Sequence, residues 1–216
     1  MKNLFLAAIA VFTIGAASAQ DMKFGAKAGL NLATLSGQEG AKLKFGYVVG
    51  GFAEFKVSDK FAIQPELLYS VQGAKGSSTT LSSVGAYSIS STSEGNRALS
   101  YLNIPVMGKY FVTEAFTLEV GPQVGILLSS NTKSDTTITS NFPGIPSSSK
   151  STEDTSKDDL STVDFSLNFG AGYDVIENLT VGVRYGLGLT KVNKESAAGF
   201  TDYKNAVTQI TVAFKF

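Results

Sequence analysis

Cysteine, histidine and tryptophan are all missing from the 216 residues. Without cysteine there is no disulfide framework, no thiolate metal site, no thiol nucleophile and no thioether-linked lipid anchor. Without histidine the His-dependent triads and the commonest zinc sites are excluded, and no Gly-x-Ser-x-Gly elbow is present. Charge of one sign is also missing: 18 basic residues face 18 acidic ones, a balance that gives no footprint for nucleic acid. Long apolar runs are absent beyond the first twenty residues.

That first stretch, MKNLFLAAIAVFTIGAASAQ, has Lys2, an apolar run from Leu4 to about Ile14, and small residues at Ala17-Ser18-Ala19. The run is too short to span a bilayer and precedes a small-residue site, the pattern of a cleaved secretory signal peptide. Residues 1–19 are therefore expected to be removed, leaving one domain over 20–216. Cleavage takes Lys2 from the 18 basic residues and none of the 18 acidic ones, so the mature chain carries about one net negative charge.

What is present after residue 20 is glycine, 22 in the whole chain, among β-branched and aromatic residues with a period of two. Eight strands are predicted: 22–33, 43–57, 61–73, 99–112, 116–129, 163–175, 179–191 and 206–216. Three connections are tight, Ser58 to Lys60, Thr113 to Ala115 and Ile176 to Asn178, and share the form VSDKF, VTEAF and VIENL. Each is expected to be a three-residue hairpin loop pairing Val57 with Phe61, Val112 with Phe116 and Val175 with Leu179. The other connections, 34–42, 74–98, 130–162 and 192–205, are long, polar and Ser/Thr-rich. Short turns thus fall at one end and long loops at the other, the layout of an up-and-down meander.

Residues equidistant from a hairpin turn share a face. Lys56 then faces Ala62, Glu54 faces Gln64, Phe52 faces Glu66, Lys109 faces Glu119 and Gly170 faces Arg184. One face is apolar throughout, from Phe45, Tyr47 and Val49 round to Ile210, Val212, Phe214 and Phe216. The other carries Lys23, Lys27, Glu54, Lys56, Glu66, Lys109, Glu119, Asp164, Asp174, Arg184 and Lys215 among glycines, asparagines and glutamines. A soluble lipocalin-like barrel would turn the apolar face inward; a transmembrane barrel turns it toward lipid.

Four features select the second arrangement. Strands of about 10 to 15 residues suffice for a tilted membrane strand. An export signal precedes them. The strand number is even, which brings both termini to the short-turn end. Phe24, Phe55, Phe61, Tyr110, Phe116, Tyr173, Phe214 and Phe216 all sit near that end, as an interfacial girdle would. The expected fold is therefore an all-β, eight-stranded antiparallel transmembrane β-barrel with short periplasmic turns and long extracellular loops, in the outer membrane. Eight strands leave an interior that side chains fill, so Lys27, Glu54, Glu66, Lys109, Glu119 and Arg184 are expected to form a charge-compensated plug. Pro65, Pro105 and Pro122 interrupt strands and are expected to mark bulges.

The segments GAKAGLNLATLSG, QPELLY, YLNIP, GPQVG, DFSLNFGAGYDV and LTVGVRYGLGLT together resemble the PorT-like outer-membrane β-barrel family of Bacteroidetes-type bacteria. The resemblance covers nearly all of the chain after residue 20 and implies the barrel and the outer membrane; its link to protein secretion implies an accessory role there, but no functional residue.

The function expected is non-enzymatic: a plugged barrel whose surface loops serve envelope integrity or contact a partner or ligand. The alternatives are a secretion accessory and a soluble periplasmic binder of apolar ligands. No catalytic, cofactor-binding or metal residue is assigned. STEDTSKDD at 151–159 lacks the alternating ligands, glycine and closing glutamate of a dedicated calcium loop. Expected partners are outer-membrane lipids, the barrel assembly machinery and an extracellular or secretion-system protein; a closed barrel has no edge to pair and is expected to be a monomer.

Phe216 ends the chain with Phe214 on the same face, an aromatic terminus suited to act as the assembly signal. Deleting Phe216 is expected to lower the amount of heat-modifiable barrel in the membrane without changing synthesis; an unchanged boiling-dependent gel shift in the mutant membranes would contradict this.

Overall fold

The computed structural model describes residues 22–37, 41–194 and 202–216. The expected signal peptide, 1–19, lies outside the described residues.

Ten strands form one antiparallel sheet: β1 (Met22–Ser36), β2 (Ala41–Lys42), β3 (Lys44–Ser58), β4 (Phe61–Val84), β5 (Tyr87–Phe111), β6 (Phe116–Ser140), β7 (Ser148–Asp154), β8 (Val163–Ile176), β9 (Leu179–Gly188) and β10 (Lys204–Lys215). Eight of them close a ring in the order β1, β3, β4, β5, β6, β8, β9, β10, with β10 returning to β1 from Gly25 opposite Lys215 to Ser36 opposite Lys204. β2 and β7 are additions beside β4 and β6.

The faces divide by residue type. Phe45, Leu67, Phe169, Val183 and Ile210 are exposed on the outside while Lys27, Glu54, Glu66, Lys109 and Arg184 are buried within. This polarity overturns the lipocalin-like alternative: a soluble barrel would leave a belt of bare Phe, Leu, Val and Ile in water, and only lipid accommodates it. Near the short turns the outward aromatics meet in pairs, Phe61 with Tyr110 at 5.0 Å and Phe214 with Phe216 at 5.6 Å between ring centres. At the other end Tyr47 stands 6.0 Å from Tyr69.

Four pairings match expectation: Lys56 with Ala62, Phe52 with Glu66, Lys109 with Glu119, and Gly170 with Arg184. The tight turns differ in detail. Ser58 pairs with Phe61 and Ile176 with Leu179, so these are two-residue turns, with Val57 and Val175 as the extra bulged residues. A bulge beside a short turn adds the local twist a narrow ring needs. The central turn follows expectation, with the Val112 amide donating to the Phe116 carbonyl at 2.9 Å.

The bulges expected at the prolines do not occur. The pairings Pro65 with Val106, Pro105 with Gln123 and Pro122 with Leu167 keep their registers. Beside the first two, ladder pairs drop out and resume in the same register: Phe52 with Glu66 is followed by Phe55 with Ile63, and Pro105 with Gln123 by Gly108 with Val120. Proline removes a donor, yet neighbouring pairs hold the strand in place. The third register shift lies between Ser100 and Tyr101 instead.

The segments 74–98 and 130–162 are largely strand, not loop. β4 and β5 stay paired out to Val84 with Tyr87, leaving only Gly85 and Ala86 as the turn. Gly85 has φ +61, as the first central position of a type II′ turn requires. β6 continues beside β5 to Ser140, and β7 pairs with β6. The alternating side chains here are Ser and Thr on both faces, so no hydrophobic period announces the strands.

Gly50 and Gly51 illustrate how closely the ring is packed. A Cβ on Gly50 would lie 2.0 Å from the Leu67 carbonyl oxygen, whereas on Gly51 its nearest neighbour is 3.5 Å away. Gly50→Ala is expected to lower the yield of folded barrel and Gly51→Ala to leave it near wild type, read from the unboiled fraction on gels; equal yields would refute the packing difference.

Candidate functional site

The lumen has four layers, built mainly by inward residues of several strands. Nearest the short turns, Lys215 Nζ donates to Asp174 Oδ2 at 2.9 Å. Lys23 is half-buried and Lys56 exposed here, lining with Glu54, Asp59, Lys60 and Phe111 an open cavity of about 700 Å³. Lys56 and Lys109 lie 5.6 and 5.7 Å from the Phe111 ring centre, at cation–π range.

Above it lies a continuous charged network. Glu66 is its hub: Oε1 accepts from Lys27 Nζ at 2.6 Å and from Gln64 Nε2 at 2.6 Å, and Arg184 grips both oxygens at 2.9 Å. Arg184 Nε also donates to Glu119 Oε1 at 2.8 Å. Gln64 Oε1 accepts from Lys109 at 3.1 Å, and Lys109 donates in turn to Glu54 Oε2 at 2.5 Å. All six residues singled out from the sequence are thus joined, from β1, β3, β4, β5, β6 and β9. Three cations meet three anions, and each has a charged partner.

One partnership differs from what register alone suggests. Lys109 stands opposite Glu119 in the ladder, but its ammonium reaches over β4 to Glu54 on β3, and Glu119 turns to Arg184 on β9, two strands away. In a narrow ring inward side chains of strands that share no ladder come as close as those of neighbours, and Glu66 on β4 meets Arg184 on β9 from the opposite wall. The bidentate guanidinium geometry then captures Glu119 and Glu66 together.

Next comes an amide layer. Asn168 Nδ2 donates to Gln123 Oε1 and Gln123 Nε2 to Ser166 Oγ, each at 3.1 Å. Asn31 Nδ2 donates to Ser70 Oγ at 2.9 Å and to the Val71 carbonyl at 2.8 Å. Asp164 accepts from Thr190 Oγ1 at 2.9 Å.

The outer end of the lumen is apolar, which sequence reasoning missed. Leu35, Ala74, Leu99, Tyr101 and Leu127 from the barrel pack with Leu160 and Val192, and Tyr203 joins them. The segments carrying Leu160 and Val192 fold inward together: the Ser161 amide donates to the Val192 carbonyl at 2.7 Å, and the Val192 amide to the Tyr203 carbonyl at 2.8 Å. The signal was the inward parity of Leu99 and Tyr101 with Asn103 and Lys109.

Beyond this layer a cavity of about 570 Å³ opens outward, lined by Ser77, Ser93, Arg97, Thr132, Asp154 and Tyr203 among others. In the acidic stretch 151–159, Asp154 Oδ1 accepts from the Ser156 amide and Asp158 Oδ2 from the Ser156 hydroxyl. No group of three or more Asp or Glu poised to share a metal ion occurs among the described residues. Ser130 and Lys133 have Ser-x-x-Lys spacing, but three apart on one strand they point to opposite faces.

Removing one partner of a buried ion pair costs about 3–5 kcal/mol because the other charge is left without compensation. Glu66→Ala strands Lys27, leaves Arg184 with Glu119 alone and is expected to lose at least that much in urea unfolding of the purified barrel. Double-mutant cycles are expected to show coupling between residues 54 and 109 and little between 109 and 119; the reverse ranking would overturn the pairing over β4.

Comparison with known proteins accords with this geometry. No curated protein matches the sequence. Among solved structures, Ail of Yersinia pestis, in complex with the heparin analogue sucrose octasulfate, is similar at 12% identity and a TM-score of 0.43, over 91% of this chain and 100% of that one. Neisserial surface protein A is similar at 15% identity and a TM-score of 0.41, over 91% and 100%. CarO of Acinetobacter baumannii is similar at 10% identity and 0.43, over 88% and 97%. The family model described as an outer membrane protein beta-barrel domain matches residues 18–194. With most of its length matched and its polar lumen and apolar belt in place, the chain belongs to the outer-membrane β-barrel family and resides in the outer membrane.

Proposed function

We propose that this protein is a non-enzymatic, sealed outer-membrane barrel whose extension outside the membrane contacts an extracellular partner by strand addition. The observation that carries this reading is strand length. β4, β5 and β6 run for 24, 25 and 25 residues, whereas crossing the bilayer takes about 9–11. The excess is a continuous hydrogen-bonded sheet. From Lys75 to Val84 alone it reaches roughly 30 Å at the usual strand rise.

This sheet ends in an open edge. β7 pairs with β6 on one side only, and all seven of its residues are exposed. A free edge presents unpaired amides and carbonyls in register, the template used when an extended segment adds to a sheet. Lys150, Glu153 and Asp154 on β7 limit indiscriminate pairing and leave selectivity to charge. A rigid platform carrying a variable polar surface is the usual division of labour in binding proteins.

The sealed lumen supports the non-enzymatic part. The six charged groups of its network are engaged with one another, and an apolar layer separates them from the outer cavity, so neither water nor substrate has a polar path through. Export by cleavage after Ala19, insertion by the barrel assembly machinery with Phe214 and Phe216 as signal, and a monomeric state belong to the same proposal. The PorT-like assignment does too, supported by QPELLY, YLNIP and GPQVG.

Ser151→Pro in β7 removes a backbone donor in mid-strand. It is expected to leave the heat-modifiable barrel intact while weakening surface binding of the partner at least tenfold, measured on whole cells beside a variant lacking 77–93. Undiminished binding in both variants would refute the extension as the contact surface.

A further inference from the structure

Lys23 and Lys56 line the open short-turn cavity; among the charges buried deeper in the lumen, all but one have a charged partner. Lys27, Lys109 and Arg184 match Glu54, Glu66 and Glu119, and Lys215 matches Asp174. Asp164, 4% exposed, has no ion-pair partner among the described residues. Its carboxylate takes a hydrogen bond from Thr190 Oγ1 at 2.9 Å. A buried carboxylate held only by neutral donors is costly.

Around it the shortage is of donors, not acceptors. Asn103 and Asn205 are 1% and 4% exposed, and the Oδ1 of each has no hydrogen-bond partner. Asn205 Nδ2 is directed to the Tyr101 hydroxyl at 3.4 Å. A methyl on Gly125 would lie 2.8 Å from Asn103 Oδ1 and 3.6 Å from Asp164 Cβ, so these two side chains meet over that glycine. Asp164, Asn103 and Asn205 line one cavity of about 10 Å³ with Gln123, Ser166 and Asn168. That is room for one water-sized particle.

We infer that this cavity is a binding site for a single dehydrated monovalent cation, of sodium size, held by Asp164 and the amide oxygens of Asn103 and Asn205. The chemistry is set by the donors: a carboxylate and carbonyl-type oxygens select hard cations over soft ones. The charge is set by the count. One positive charge neutralises the lone Asp164 carboxylate, while a divalent ion would leave an excess of one in a site with no second carboxylate. The apolar layer of Leu99, Tyr101 and Leu127 lies between this cavity and the outer mouth, so the ion is enclosed and structural. The site is independent of the strand-addition reading and survives its failure.

Thermal unfolding of the purified full-length barrel in detergent tests this, in sodium chloride against N-methylglucamine chloride at equal ionic strength. A ligand that binds only the folded state raises the midpoint with each tenfold increase in concentration, by about 3 to 6 °C for a chain of this size. The wild type is expected to show that rise in sodium, and Asp164→Asn to show none. Asn103→Ala is expected to flatten the dependence as well, and serves if Asp164→Asn does not assemble. Equal midpoints in the two salts, or a sodium dependence retained by Asp164→Asn, would mean that the cavity holds water and would overturn the inference. Stabilisation by calcium and not by sodium would overturn the charge argument.

Discussion

The ladder between β1 and β10 turns an open sheet into a ring, and the rest of the structure depends on that closure. Lipid offers no donors or acceptors, so each backbone amide and carbonyl in the membrane must find its partner within the chain. Twelve consecutive pairs, from Gly25 with Lys215 to Ser36 with Lys204, supply those partners where an edge would otherwise stand. Closure also sets the side-chain rule. With alternation fixed by the strand, each residue faces lipid or lumen, and a slip of one would bring Lys27 and Glu66 into hydrocarbon.

A ring of eight strands is narrow enough for opposite walls to touch. The lumen therefore behaves as a protein core made of polar groups. Lys27, Arg184 and Gln64 converge on Glu66 from three strands, and the hub ties together walls that share no ladder. Such a network gains little over a well-packed apolar core in stability, since desolvation offsets most of the Coulomb attraction. What it adds is specificity: inward charges cannot be accommodated on the lipid face, so the network reinforces the register that closure requires. The apolar layer at the outer end draws its residues partly from the connecting segments, Leu160 and Val192.

The extension outside the membrane obeys a different solvent. Beyond Lys75 both faces of β4 meet water, and the alternation of Leu with Gln or Glu gives way to Ser and Thr on either side. β-branched threonine favours extended backbone, and cross-strand contacts such as Thr79 with Thr92 and Ser93 with Thr136, at 3.2 and 3.1 Å, join the ladders. Hydrophobic periodicity carries no information about such strands, which is why 74–98 and 130–162 read as loops. Their one local mark was Gly85 between Val84 and Tyr87, a turn residue amid residues with no apolar pattern.

Which face meets lipid, where the short turns lie and which six charged residues enter the lumen were legible in the sequence, because period-two alternation and turn spacing are local properties. Glycine at 50 and proline at 65, 105 and 122 were legible too, though not their effect: the prolines break ladder bonds without moving the register, since neighbouring pairs outweigh a missing donor. The tertiary structure alone decided that Lys109 pairs with Glu54 and Glu119 with Arg184, that Leu160 and Val192 fold into the mouth, and that Asp164 stands apart from every cation. Those outcomes depend on distances between strands and segments that share no ladder, and such distances are set by how the sheet curves into a ring.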